Sequence, residues 1–184
     1  MKEIYKQIIE KLTSPATIAL FESAGVQPVK FVDLYKGQYL DYSKYEITPL
    51  PAVFMDWNII ITNPTQNEST AMIMLHLDYE QVSDTSSLSI QRDNALKLFD
   101  FIDLVQQVVS TIQVEGSGKL KLRNAEPVQL DNPGQVILLT YETAFQVYQN
   151  NIHNQFNYVD TIDVEVDING GLVKKQTWEQ SFDL

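Results

Sequence analysis

Few residues in this sequence are of a type that could do chemistry. They are two histidines, His76 and His153, and one dense acidic group, Asp160, Asp163, Glu165 and Asp167. A serine triad or a zinc site would have to use a histidine. His76 stands in an alternating run with Met72, Met74 and Asp78, and His153 in the polar stretch Gln149–Gln155, with no second ligand at metal spacing. Both read as structural. Asp163, Glu165 and Asp167 share one side of any strand they form, which brings calcium to mind. A calcium loop, however, needs a bent backbone that supplies carbonyls. These carboxylates read instead as the wet side of a strand whose dry side is Ile162, Val164, Val166 and Ile168. Gly116-Ser117-Gly118-Lys119 is not a phosphate loop. That motif needs a glycine where Gln113 stands and a hydroxyl where Leu120 stands. With no cysteine, thiolate metal sites, disulfides and cysteine nucleophiles are excluded. No catalytic residue, cofactor or metal is expected, and among 24 acidic residues nothing singles out a pair for hydrolysis.

Charge narrows the partners. The formal net charge is −11, whereas a nucleic-acid backbone demands lysine and arginine. The densest basic group is Lys119, Lys121 and Arg123, at period two and so on one side of a strand. Sequence-specific nucleic-acid binding is therefore not expected. No stretch approaches the ~20 apolar residues that span a bilayer. Charged residues interrupt the N-terminal pattern, so no secretion signal is expected and folding is expected in the cytoplasm.

The elements follow from periodicity. Ile4, Tyr5, Ile8, Ile9 and Leu12 recur at helical spacing, and Thr13-Ser14-Pro15 ends that helix. Ile18, Leu20 and Phe21 fit a short helix or a strand, and Val29–Leu34 reads as a strand. Pro51 opens Ala52–Met55, Asn58–Thr62 follows as β-branched sequence, and Asn63–Ser69 is polar. Thr70–Tyr79 alternates, with Ile73, Leu75, Leu77 and Tyr79 on the better core side. A serine-rich entry at 83–89 leads into one long helix over 88–113. Its stripe is Ala95, Leu98, Phe99, Ile102, Val105, Val109 and Ile112, and Gly116-Ser117-Gly118 stops it. Leu120 and Leu122 open a strand that Asn124–Pro127 interrupts. After the turn at Asp131-Asn132-Pro133-Gly134, Gln135–Tyr148 is a long strand. The fold class is α+β: a mostly antiparallel sheet with an N-terminal helix and one long helix on one face. Residues 1–148 form this core. Residues 149–184 add a C-terminal β-hairpin in which an alternating strand turns at Asn169-Gly170-Gly171.

This order of elements, with the proline-led Pro51–Asp56 strand, Met72–Asp78, the long helix, Asn124–Glu126 and Gln135–Phe145, resembles the tail terminator (tail completion) and neck proteins of long-tailed bacteriophages. The likeness spans residues 1–148 and rests on element order rather than on a motif. It implies a virion structural protein without catalysis. Such a protein forms a homo-oligomeric ring, typically a hexamer, on the tail tube protein and joins it to the head-side connector. The hairpin departs from the minimal pattern and reads as an arm that reaches a neighbouring subunit.

Candidate contact residues are Tyr39, Tyr42 and Tyr45, from a tyrosine-rich stretch, and Phe156, Tyr158, Ile162 and Val164, from the hairpin. Tyrosine is amphipathic, so the first group either covers the sheet as a loop or forms an exposed contact surface. Two other readings stand beside the ring subunit: a small-molecule- or peptide-binding α+β module, and a hydrolase with unpaired carboxylates.

Overall fold

Helix α1, Lys2–Leu12, follows its stripe and buries Ile4, Ile8 and Leu12. Thr13-Ser14-Pro15 ends it and at once begins a second helix, α2, Pro15–Ser23. Proline is at the first helical position, where its missing N–H costs nothing, and Ser14 Oγ accepts from Thr17 N at 3.2 Å. This hydroxyl caps the helix start, so Ser14→Ala is expected to lower stability by about 1 kcal/mol in urea unfolding. Gly25, at φ +67°, ends α2 in the left-handed conformation that favours glycine.

This computed structural model describes residues 1–41, 44, 48–63, 68–79, 85–114, 117–129, 135–146, 162–164 and 176–178. The chain divides into two compact units, Met1–Val147 and Tyr148–Leu184. After α2 the first unit contains β1 (Phe31–Leu34), a 3-10 turn (Gln38–Leu40), β2 (Ala52–Asn63), β3 (Glu68–Tyr79), α3 (Arg92–Ala95), α4 (Lys97–Val109), β4 (Lys121–Val128) and β5 (Gln135–Gln146). The sheet order is β1-β2-β3-β5-β4. β1 runs parallel to β2, and every other pair is antiparallel. In the second unit β6 (Ile162–Val164) pairs antiparallel with β7 (Gln176–Trp178), Ile162 opposite Trp178 and Val164 opposite Gln176.

The helices and one sheet face share a core of Ile4, Ile8, Leu12 and Phe21 with Val53, Met55, Ile73, Leu75, Leu77, Leu139 and Tyr141. Ile73, Leu75 and Leu77 are the alternating side singled out in the sequence. On the opposite face Tyr39 packs with Ala52, Phe54 and Val136, and Tyr35, Phe31, Leu50 and Val128 lie against them.

Three expectations are corrected. The helix expected over 88–113 is shorter and broken. Residues 86–91 form turns, with Ser89 N bonded to Ser86 O and Ser89 Oγ accepting from Gln91 N. Serine side chains compete here with the helical ladder. Leu96 separates α3 from α4. α4 ends at Val109, well before Gly116, because Ser110 Oγ and Thr111 Oγ1 donate to the carbonyls of Gln107 and Val108. Second, Phe99 is not part of the buried stripe. It is 60% exposed, while Phe101 is fully buried with Leu98, Ile102, Val105, Val108 and Val109. Third, Asn124–Pro127 does not interrupt β4, which runs through it to Val128. β4 is an edge strand, where the missing N–H of Pro127 costs no ladder bond. The chain approaching β4 lies close against β5. Gly118 N donates to Ala144 O at 2.8 Å and Thr143 Oγ1 to Gly118 O at 2.8 Å, so a Cβ at 118 would come 3.3 Å from Thr143 Oγ1.

Candidate interaction surface

His76 projects from β3 on the face opposite the helices, and Tyr35 and Tyr39 close over it. Its ring stacks on Tyr35 with centroids 4.1 Å apart, and its Nδ1 lies 2.8 Å from the Tyr39 hydroxyl. Tyr35 and Tyr39 stack on each other at 5.1 Å. Burial holds the His76 pKa below its ordinary value of 6.5, partly opposed by the Asp56 carboxylate. Burial likewise raises the Tyr39 hydroxyl pKa, helped by its hydrogen bond to Tyr35. The imidazole under two aromatic rings fixes the tyrosine segment to the sheet and is itself only 7% exposed.

Among the described residues no group of three or more histidine or carboxylate side chains could hold a metal ion. A shallow, open cleft of about 360 Å³ lies between α4 and β4. Asp103, Gln106, Gln107 and Ser110 line one side, Leu120 and Leu122 the other, and Tyr141 is also part of its lining. The Tyr141 side chain is buried and its hydroxyl has no hydrogen-bond partner among the described residues, and burial raises its pKa.

The surface holds more apolar area than a closed core needs. On β2, Trp57 is partly exposed, and Ile60 and Ile61 are 51% and 57% exposed. Around the start of α3 and α4, Leu88, Ile90, Leu96 and Phe99 all face solvent. Scattered apolar side chains are ordinary on a surface, whereas grouped ones mark contact with another macromolecule. On β2 the three do not share a face: Ile60 lies on the face opposite the helices, while Trp57 and Ile61 share the helical face with Val53, Met55 and Ile59, toward the far end of the strand from the buried Ala52–Met55 start.

Of the residues singled out in the sequence, Tyr39 is 2% exposed and belongs to the core on the second sheet face. It offers no contact surface in this fold, and its ring covers the sheet. Tyr42, Tyr45, Phe156 and Tyr158 lie outside the described residues. Ile162 and Val164 lie in β6. Sequence reading missed Trp57, Ile60, Ile61, Leu88, Ile90 and Phe99. The signal was present for two of them as apolar residues out of step with the stripe of their element, Phe99 beside Leu98 and Ile60 between Ile59 and Ile61, whereas Trp57 and Ile61 are in step with the core side of β2.

Arg123 and Glu142 join β4 to β5 on the outside of the sheet, Nε to Oε2 at 2.8 Å and Nη2 to Oε1 at 3.1 Å. That hydrogen bond holds the Glu142 carboxyl below its usual range. No helix among the described residues is long and apolar enough to cross a membrane. No protein-family model matches this sequence, and no curated protein matches it.

Proposed function

We propose that this chain is a structural virion subunit, a tail terminator-like protein of a long-tailed bacteriophage. It forms a ring, six-membered in the family it resembles, that caps the tail tube and joins it to the head-side connector. The observation that carries this reading is the exposed apolar surface of Trp57 and Ile61 on β2 and of Leu88, Ile90, Leu96 and Phe99 at the start of α3 and α4, on a unit with a buried core of its own. An assembly subunit needs such area, and a self-contained enzyme does not. Element order supports the same reading: α1, a proline-led pair of 12-residue strands, then α4 and the closing β5. The open cleft between α4 and β4 favours a second reading, a peptide- or small-molecule-binding module. Light scattering on a sizing column separates the two, with the chain run alone and with the tail tube protein from the same virus. Ring-sized species or co-elution with the tube is expected. A monomer at every concentration that also ignores the tube overturns the ring reading.

A further inference from the structure

β4 is the outermost strand of its sheet, and from Lys121 to Pro127 every residue is exposed. Among the described residues its one strand partner is β5, so its outer edge presents backbone donors and acceptors to whatever arrives. Its two sides differ. Toward the helices lie Leu120 and Leu122, the latter 40% exposed at the mouth of the cleft. On the other side, in register with Glu142, lies Lys121, and Arg123 reaches the same carboxylate; Glu126 lies on this side too, nearer the far end of the strand. With Lys119 these form the densest basic group in a chain of net charge −11.

We propose that β4 receives, by strand addition, the segment Tyr158–Ile168 of a second copy of this chain. This rests on the self-assembly proposed above and names one of its interfaces. Two copies carrying −11 each repel overall, so contact is favoured where the local sign is reversed. The segment is the most acidic in the chain. Because Ile162, Val164, Val166 and Ile168 alternate with Asp163, Glu165 and Asp167, any extended strand built from it has one apolar and one acidic side. Laid along β4, it sets the apolar side beside Leu122 and the acidic side beside Lys121. Both polarities match at the Lys121–Leu122 end of β4, which Glu126 leaves as the end that favours the carboxylates. Lysines and a proline on an edge discourage indiscriminate pairing; an acidic strand is the partner that the lysines admit, while the ladder supplies affinity.

The absence of native cysteine makes a clean test. Full-length Asn124→Cys is mixed under mild oxidation with full-length Asp163→Cys, Glu165→Cys or Asp167→Cys, with and without the tail tube protein. At least one mixture should give a disulfide between the two chains. High salt, or Lys119→Glu with Lys121→Glu, should reduce that yield about tenfold. Three registers are sampled because a disulfide needs Cα atoms within about 7 Å. If no mixture cross-links while the chain still assembles, the strand addition is overturned and the ring reading stands. If the doubly substituted Asn124→Cys, Glu165→Cys chain closes only on itself, the strand addition is likewise overturned. A chain that neither assembles nor binds the tube overturns both.

Discussion

Ile102→Asp is expected to cost the fold about 3–5 kcal/mol, while Phe99→Asp, three residues earlier on the same helix, should stay within about 0.5 kcal/mol. Ile102 lies inside the cluster that α4 forms with the sheet, among Leu98, Phe101 and Val105. A carboxylate there must either shed its charge or be buried without a partner, and the cavity left by the isoleucine adds to the penalty. Phe99 is out of step with that cluster and is mostly solvated, so a carboxylate at its position remains in water. Urea unfolding of both variants at pH 7 separates the two faces of the helix. Equal losses would mean that α4 is turned differently on the sheet. Comparable stability of Phe99→Asp with weakened assembly would in addition tie that face to a partner.

Stability is expected to fall as pH drops below about 6.5, and His76 is the cause. Its folded-state pKa is lowered from 6.5, first by burial, with Asp56 opposing. Above 6.5 the imidazole is neutral in both the folded and the unfolded chain, and the shift has no effect. Below 6.5 the unfolded chain takes up the proton while the folded chain resists, so the unfolded state gains. Each further unit costs up to about 1.4 kcal/mol until the folded-state pKa is also passed. The groups facing the ring are Tyr35 and Tyr39 above it and Asp56 from β2, while Asp78, two residues on along β3, acts on the Tyr39 hydroxyl. Unfolding free energies between pH 5 and 8 for the native chain and for His76→Gln test this. The variant should lose the slope between 5 and 6.5. An unchanged slope would assign it to carboxylates instead. Tyr39→Phe removes the 2.8 Å contact with Nδ1 and should cost about 1 kcal/mol at neutral pH.

What could be read from the sequence was local. The α1 stripe, the core side of β3 and the proline-led start of β2 each depend on a repeat of two or of 3.6 residues, and such repeats persist whatever the rest of the chain does. The residue types open to chemistry were legible in the same way, since two histidines and no cysteine limit what any fold can build. Element boundaries were less legible. The 88–113 pattern gave no warning that the Ser89 side chain would help hold residues 86–91 in turns or that Ser110 and Thr111 would close α4 early. Tertiary structure decided everything that depended on neighbours. Pro127 looked like a break until β4 proved to be an edge, where a missing N–H has no ladder bond to lose. Tyr39 was open to a place over the sheet or on the surface until His76, 37 residues away, offered its hydroxyl a partner under a stacked ring. The parallel pairing of β1 with β2, and the insertion of β5 between β3 and β4, leave no mark on any single segment. Periodicity tells a strand which side to bury. The neighbour it pairs with is chosen by contacts between residues far apart in the chain, and those exist only once the whole sheet has formed.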